Sequence, residues 1–443
     1  MTTASKRKRP SVIVKKSPSE EPDITGVRKK VEQHYPHLWP AVEAGLAVCA
    51  TLLLKDNANP TALIYIGPAS AGKTTVASMF QETILEGQKH EPTKLVYRSD
   101  QFSAASFVSQ SATNAREDLP EVDLLPRIRH KVLLTPDLAT MFRGNHDDLT
   151  ERFSTITRVL DGQGFTRDSG THGQRGYTGD YLFAWLGCTT PFTDGIWNLM
   201  ATLGSRLFFF SLDSVSDPTE DDLVQSMIKC ASYQQMLKEC QQCVQEFLEA
   251  LFAKHRGVRT VQWNQKTTPK PVAQAIARLA RLIAIMRTQI VNGQQGPVQP
   301  ESAHRATAVL HNIARGHAII HGRTRLNNED LPLIARIALS SMPKERRAVL
   351  EAFAKHSGKP LSVIDVSEAA SVSDNTARKI MREFDRLQIA HYDQNGMGKA
   401  SPLTLNSEWD GKDDMWELIG EIATSQKSGD VFEEDKKADP LDW

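Results

Sequence analysis

Long apolar runs and cysteine pairs are scarce in this sequence. Residues 44–54 are apolar but too few to cross a membrane, and residues 1–16 are basic without an apolar core, so they are not a secretory signal. Five cysteines in 443 residues form no disulfide framework, which suits a reducing compartment. We therefore expect a cytoplasmic protein with no membrane partner. Cys240 and Cys243 form a C-x-x-C without a second ligand pair nearby, so helix packing is favoured over a zinc or redox site.

An excess of charge of either sign is also absent. The 53 basic and 53 acidic side chains cancel, so a nucleic-acid partner has to be argued from local patches rather than from net charge. Hydrophobic residues make up 40% of the chain and charged residues 24%, which is the composition of an ordinary globular protein. The length predicts two or three domains.

A glycine-rich loop is the most informative feature that is present. The stretch IGPASAGKTT, residues 66–75, fits the pattern G-x-x-x-x-G-K-[ST]. Its glycines let the backbone wrap around phosphates, the lysine supplies a charge to the β- and γ-phosphates, and the Thr74 hydroxyl ligates Mg²⁺. An apolar run precedes the loop and a helical pattern, residues 74–85, follows it, whereas a chance glycine turn would need neither. The predicted nucleotide-binding residues are Gly67, Pro68, Ala69, Ser70, Ala71, Gly72, Lys73, Thr74 and Thr75.

Short apolar runs alternate with helical segments after this point, which predicts an α/β domain with a parallel sheet. The candidate strands are residues 62–66, 94–98, 130–135, 181–187 and 206–212. The predicted domains are a disordered basic tail at 1–25, an α/β core at 26–213, a helical insertion and lid at 214–342, a winged helix-turn-helix unit at 343–408 and an acidic tail at 409–443 that is loose from residue 425.

The second helix of the predicted winged unit, residues 374–387, has two distinct faces. One face is apolar and is expected to be buried; it consists of Ala377, Ile380, Met381 and Phe384. The other face is polar and could enter a DNA groove, with cations on phosphates and the asparagine near base edges. That face consists of Asn375, Thr376, Arg378, Lys379 and Arg382. Docking of a protein partner is the alternative role for this unit, and a turn at Asn395-Gly396 fits its wing.

This order of parts resembles the AAA+ P-loop ATPases, especially the minichromosome-maintenance-type helicases and the MoxR-like ATPases, over residues 30–342. The resemblance implies ATP and Mg²⁺ as cofactors. It also implies a homo-oligomeric ring, for which a hexamer is one candidate. In LGCTTP it implies Thr189 or Thr190 as the residue that senses the nucleotide. In GSRLFFFSLD it implies Arg206 as a finger that reaches the ATP of the neighbouring subunit, and in AHRATAVL it implies Arg305 as a second nucleotide-binding arginine. The alternatives are a strand-end charge at Arg206 and a solvated first-turn residue at Arg305.

The sequence departs from the family at the acidic pair that should follow the third core strand. The family has four apolar residues and then Asp-Glu, whereas KVLLTPDLATMF has only Asp137. Asp100, after the preceding strand, is the candidate for a second carboxylate. The implied metal ligands are Thr74, Asp137 and Asp100, and the implied catalytic residues are Lys73, Asp137, Arg206, Thr189 and Thr190. Slow hydrolysis, or ATP used mainly as an assembly switch, stays open.

A long glycine-rich stretch, residues 162–181, precedes the fourth strand. Helicase-like relatives have a pore-lining hairpin at this place, and Arg167 and Arg175 would there contact a nucleic-acid backbone. A solvent-exposed loop is the alternative. Three functions follow from the sequence: an ATPase that remodels or translocates on DNA, a MoxR-like ATPase that remodels a client protein, and an ATP-switched DNA-binding regulator with little hydrolysis.

Overall fold

A computed structural model gives the structure of the protein. It describes residues 21–81, 83–86, 92–109, 119–169, 173–204, 206–212, 232–290, 298–392 and 401–427, together with residues 220, 221, 224, 227 and 228. Within these residues, none of the helices combines the length and apolar character needed to span a membrane. Most of the predicted basic tail lies outside the described residues, and the first helix begins at Ile24, inside its predicted bounds.

Strands and helices alternate through the first half of the chain. The strands are β1 (Thr61–Ile66), β2 (Ile84–Glu86), β3 (Pro92–Lys94), β4 (Val96–Arg98), β5 (Val132–Thr135), β6 (Gly164–Ser169), β7 (Gly173–Thr178), β8 (Ala184–Thr189), β9 (Leu207–Ser211), β10 (Ala390–Tyr392) and β11 (Leu403–Leu405). The helices of the core are α1 (Ile24–His34), α2 (Trp39–Ala50), α3 (Lys73–Met79), α4 (Leu119–Val122), α5 (Leu124–Ile128), α6 (His146–Val159) and α7 (Asp194–Leu203). The remaining helices are α8 (Tyr233–Lys254), α9 (Lys270–Met286), α10 (His304–Ile320), α11 (Leu331–Ser340), α12 (Lys344–Lys355), α13 (Val363–Ala370), α14 (Asp374–Arg386) and α15 (Asp413–Lys427).

A five-stranded parallel sheet forms the centre of the core, in the order β4-β5-β8-β1-β9. Each of the five apolar runs found in the sequence overlaps one of these strands, so the predicted α/β architecture is confirmed. Alternate residues of β1 enter two different cores: Leu63 and Tyr65 pack with α2 on one face, and Ala62, Ile64 and Ile66 pack with α6 and α7 on the other. Burial on both faces explains why these strands read as nearly continuous apolar runs.

The free edge of β9 is covered by the helical region. The backbone N–H groups of Phe209 and Ser211 donate to the hydroxyl oxygens of Ser341 and Ser340, at 2.9 and 3.0 Å. The buried guanidinium of Arg287 donates to the carbonyl oxygen of Leu207 at 2.8 Å. These bonds pair the backbone of a strand that would otherwise present unpaired groups, and they fix the end of α11 against the sheet.

Helix α10 packs closely against α2. A Cβ atom added at Gly316 would lie 2.1 Å from the carbonyl oxygen of Ala47, so only glycine permits this approach of the two backbones. Arg315 on the same helix is buried and forms an ion pair with Asp56 at 2.8 Å. The two helices therefore form one packed unit that joins the helical region to the core.

Two predicted segments differ from the structure. The helix predicted for 74–85 ends at Met79, and residues 84–86 pair with 92–94 in a short antiparallel ribbon instead. The region predicted only as an acidic tail, residues 409–443, contains a helix in its first part: α15 docks on α11 and α12 and buries Met415, Trp416, Ile419 and Ile422. The acidic composition of the tail concealed this apolar face.

The described part of residues 344–405 contains three helices followed by an antiparallel strand pair, β10 with β11. The four apolar residues predicted for the buried face of α14 are buried. Ser362 and Asp365 form a capping box at the start of α13, and the Ser373 side chain caps α14. The predicted turn at Asn395-Gly396 lies outside the described residues.

Candidate functional site

The glycine-rich loop, residues 67–72, connects the central strand β1 to α3. Gly72 has a φ of +83°, a conformation that side-chain-bearing residues rarely adopt, and a Cβ there would lie 2.8 Å from Leu38 Cδ2. Residues 68–70 are exposed, whereas Gly67 at the base of the loop is buried. The loop is thus tightly held at both ends and open to solvent at its tip.

Lys73 lies inside the curve of this loop. Its ammonium group donates hydrogen bonds to the carbonyl oxygens of Gly67, at 2.7 Å, and of Pro68. Only 9% of Lys73 is exposed, so the loop encloses the charge of its ammonium group. The next residue, Thr74, is exposed, which leaves its hydroxyl accessible from the same side.

Cys188 on β8 connects the loop to the neighbouring strands. Its thiol donates to the carbonyl oxygen of Lys73 at 3.3 Å, and its own carbonyl accepts from the N–H of Leu138 at 2.8 Å. Burial raises the pKa of Cys188 to about 12, with Lys73 lowering it and Asp137 raising it further. Both charges therefore act on the same buried thiol, from the loop on one side and from the end of β5 on the other.

The carboxyl ends of β5, β8 and β1 bring several predicted residues to one edge of the sheet. Ile66 is in register with Thr189, which is buried beside the loop, while Thr190 is exposed. Asp137 follows β5 and is exposed, with one carboxylate oxygen accepting from the N–H of Ala139 at 2.8 Å. This edge is where open α/β sheets bind their ligands.

Asp100 is not brought to the glycine-rich loop. It follows the edge strand β4, three strand positions from β1, which corresponds to about 14 Å at the usual spacing of neighbouring strands. Its carboxylate pairs with Arg98 at 2.8 Å. Thr74 and Asp137, both exposed, stay the predicted ligands of a Mg²⁺ ion at the loop, a cation that keeps waters and takes only one or two protein ligands.

Arg206 and Arg305 meet at a single carboxylate, Asp161, at 3.2 and 2.7 Å. Arg305 also donates to the Asn59 side chain at 3.2 Å. Arg206 precedes β9 and Asn59 precedes β1, so this cluster lies at the amino edge of the sheet, about 16 Å along β9 from the glycine-rich loop. We name the side chains of Asp161, Arg206 and Arg305 the Asp161 cluster.

The position of the Asp161 cluster excludes the alternative of a solvated Arg305, and the nucleotide-binding role of this arginine stays a prediction. Arg305 does not contact the glycine-rich loop of its own chain, and it is not a solvated first-turn residue either, because it is held by Asp161 and Asn59. Burial lowers the pKa of Arg305, the Arg206 charge lowers it further, and Asp161 opposes both effects. Arg206 and Arg305, with Arg158 at 3.5 Å, thus share the Asp161 carboxylate at the amino edge of the sheet.

The glycine-rich stretch before β8 forms an antiparallel hairpin, β6 with β7. Arg167 and Arg175 are directly opposite each other in this pair. Their face turns toward the body of the protein: Arg167 forms an ion pair with Glu151 at 3.1 Å, and the Tyr177 hydroxyl donates to Asp123 at 2.8 Å. The opposite face, with Thr166, Asp168 and Gln174, is exposed. The tip, residues 170–172, lies outside the described residues.

The polar face of α14 is accessible. Asn375, Thr376, Lys379 and Arg382 are exposed and Arg378 is half-buried. Two of the three acidic residues of the helix have partners, since Glu383 pairs with Arg346 at 3.1 Å and Asp385 accepts from the N–H of Tyr392 at 3.2 Å, while Asp374 in the first turn is exposed. Basic and amide groups therefore dominate the exposed surface of this helix.

Sequence reasoning missed several neighbours of the glycine-rich loop. Tyr233, at the start of α8, places its hydroxyl 3.2 Å from that of Thr75, and its ring packs edge-on against Tyr35. Leu38 covers Gly72, and Cys188 lies under Lys73. Leu38 and Tyr233 belong to no local motif, and Cys188 lies within LGCTTP without an assigned role, because distant parts of the chain bring all three to the loop.

Comparison with known proteins finds similar solved structures but no matching family model or curated sequence. A crystal structure from Cytophaga hutchinsonii, described as a "putative ATPase", is similar at 12% sequence identity, covering 81% of this chain and 95% of that chain, with a TM-score of 0.39. At this TM-score the likeness carries no argument about function.

Proposed function

We propose that this chain is an AAA+-type P-loop ATPase that binds ATP with Mg²⁺ and hydrolyses it. The observation that carries the proposal is the position of Lys73, enclosed by the glycine-rich loop, beside a strand edge that presents Asp137 and Thr189. The backbone of residues 67–72 would bind the phosphates, and the ammonium group of Lys73 would exchange its carbonyl partners for β- and γ-phosphate oxygens.

The chemistry asked of these residues is mostly positioning and charge neutralisation. Thr74 and Asp137 would hold Mg²⁺, which when bound neutralises charge on the phosphate oxygens. Thr189 ends β8 next to the loop and would orient the attacking water through its hydroxyl. Asp100 pairs with Arg98, so Asp137 is the carboxylate proposed for this edge. Asp137 would then have to serve both the metal and the water. We therefore expect slow turnover.

The Asp161 cluster supports assembly into a homo-oligomer. Arg206 and Arg305 lie too far from their own glycine-rich loop to reach its phosphates, but in a closed ring they would face the loop of the adjacent subunit. Arginine supplied from another subunit stabilises charge that develops during phosphoryl transfer. A ring, for example a hexamer, would then be needed for full activity.

DNA is the proposed substrate, bound through residues 344–405 acting as a winged helix. The exposed face of α14 offers Asn375, Lys379 and Arg382, and two of the three acids of that helix, Glu383 and Asp385, have partners of their own. The hairpin arginines Arg167 and Arg175 contribute less to this proposal, because their face turns toward Glu151. A MoxR-like ATPase that remodels a client protein is the second candidate, with the same unit docking the client, and an ATP-switched DNA-binding regulator is the third.

ATP turnover with and without single- and double-stranded DNA separates these functions. Turnover that rises with DNA, and that is lost in Lys73→Ala and Asp137→Asn, supports the DNA-remodelling ATPase. Turnover indifferent to DNA but raised by a protein partner supports the MoxR-like function. ATP-dependent DNA binding with negligible hydrolysis in both the wild type and Asp137→Asn supports the regulator.

A further inference from the structure

Three potential metal ligands meet where α10 packs on α2, away from the glycine-rich loop. Glu43 comes from α2, and His317 and His321 come from the end of α10, one helical turn apart. The Glu43 carboxylate oxygen Oε1 lies 3.0 Å from His321 Nε2 and 3.4 Å from His317 Nε2. One ligand atom from each of the three side chains lies within 4.8 Å of the others.

A second carboxylate orients one of these histidines. Asp330 Oδ1 lies 2.7 Å from His317 Nδ1, and Asp330 is itself held by Arg323 at 2.7 Å and by the N–H of Asn327 at 2.9 Å. Asp330 is completely buried. A proton on Nδ1 that points to Asp330 leaves the lone pair of His317 Nε2 directed at the Glu43 carboxylate. Two acceptors that face each other at 3.4 Å are reconciled either by a second proton on the imidazole or by a metal ion between them.

We propose that Glu43, His317 and His321 bind a Zn²⁺ ion. Zinc bonds of the usual length in tetrahedral geometry place two ligand atoms about 3.3 Å apart, and the two measured separations from Glu43, 3.0 and 3.4 Å, lie on either side of this value. Two histidines one turn apart on a helix with a glutamate oxygen are a ligand set that zinc accepts. The contact between Asp330 and His317 supplies the outer carboxylate that zinc-bound histidines usually have.

The surroundings allow an ion to enter and to complete its coordination. The His321 side chain is 31% exposed, whereas that of His317 is 6% exposed. A water molecule on the His321 side would provide the fourth ligand. Because the ligands come from α2 and α10, the ion would cross-link the core to the helical region at the place where Gly316 already brings the two helices together. Its role would be to stabilise this junction, independently of nucleotide.

Metal uptake by the full chain tests the proposal. The chain is treated with a chelator and dialysed, and Zn²⁺ binding is then measured by competition with a chromophoric indicator, with Co²⁺ as a spectroscopic substitute. We expect one ion per chain, strong visible cobalt absorption typical of four-coordination, and a rise in Tm with Zn²⁺. His321→Ala and Glu43→Gln should weaken binding at least tenfold; His321→Ala changes a partly exposed side chain and keeps the test valid if Glu43→Gln fails to fold.

The matched control is His391→Ala, since His391 also faces a carboxylate, Asp385 at 3.1 Å, but has no second histidine described beside it. This variant should bind zinc like the wild type. The proposal is overturned if the chain takes up no stoichiometric zinc, or if uptake is unchanged in both His321→Ala and Glu43→Gln. A cobalt–thiolate charge-transfer band would also overturn it, because the ion would then be bound by cysteine.

Discussion

The ammonium group of Lys73 donates to the carbonyl oxygen of Gly67 at 2.7 Å, so the charge of the glycine-rich loop is satisfied by the loop itself. A bound triphosphate has to displace this internal bond. The ammonium group of Lys73 then donates to charged phosphate oxygens instead of the Gly67 carbonyl oxygen. The loop must therefore keep its backbone conformation while the lysine changes partners. That requirement makes the backbone at Gly72, rather than the lysine alone, a point at which binding can be disrupted.

We predict that Gly72→Ala weakens ATP binding at least tenfold and costs about 1–3 kcal/mol of stability. The new Cβ would adopt a φ of +83° and lie 2.8 Å from Leu38 Cδ2. Gly179→Ala is the matched control, since Gly179 also has a positive φ, +111°, but nothing lies within 4 Å of its Cβ. It should lose some stability and keep its affinity for ATP. Equal affinities in the two variants, measured by calorimetry, would contradict this interpretation of the loop.

Close helix packing at Gly316 gives a prediction on stability alone. Gly316→Ala puts a methyl group 2.1 Å from the Ala47 carbonyl oxygen, so α10 must move from α2, at a cost of about 1–3 kcal/mol in the free energy of unfolding. Gly420→Ala is the matched helical control, because its nearest neighbour is 3.8 Å away. It should be neutral or stabilising by about 0.5–1 kcal/mol. Urea denaturation measures both, and equal midpoints would disprove the close contact.

The Asp161 cluster predicts complementation between subunits. Arg206→Ala and Lys73→Ala chains should each be inactive in ATP turnover, since one lacks the finger and the other lacks the phosphate-binding charge. Mixing them should restore part of the activity, because some interfaces then combine an intact loop with an intact arginine. Arg158→Ala is the control: Arg158 also approaches Asp161, at 3.5 Å, but its side chain is 59% exposed, and its loss should leave turnover nearly unchanged. Mixtures no more active than the separate variants would argue against a trans role.

The exposed face of α14 predicts the salt dependence of DNA binding. Arg382→Ala should weaken binding to all sequences about equally and reduce the salt slope by about 1, as expected for a phosphate contact. Lys355→Ala removes an exposed cation from α12 and serves as the control. Fluorescence anisotropy across a salt series measures both. If the two variants bind DNA with the same affinity and slope, the α14 face is not the DNA-binding surface.

Local features of this protein were predictable from its sequence, and long-range ones were not. The glycine-rich loop is contiguous, and the five core strands are buried on both faces, so each leaves a clear apolar run. The buried face of α14 follows from helical periodicity. By contrast, Cys188 meets Lys73 and Arg305 meets Asp161 only after more than a hundred residues of intervening chain have folded. Composition misled the prediction for α15, whose apolar face is short and surrounded by acids.

Calorimetric titration of the full chain with ATP in the presence of Mg²⁺ tests the central claim most directly. We expect the wild type to bind about one nucleotide per chain. We expect Lys73→Ala to lose that binding without a change in the far-ultraviolet circular dichroism. If the folded wild-type protein binds neither ATP nor ADP with Mg²⁺, the glycine-rich loop is not a nucleotide site and the proposed function is contradicted.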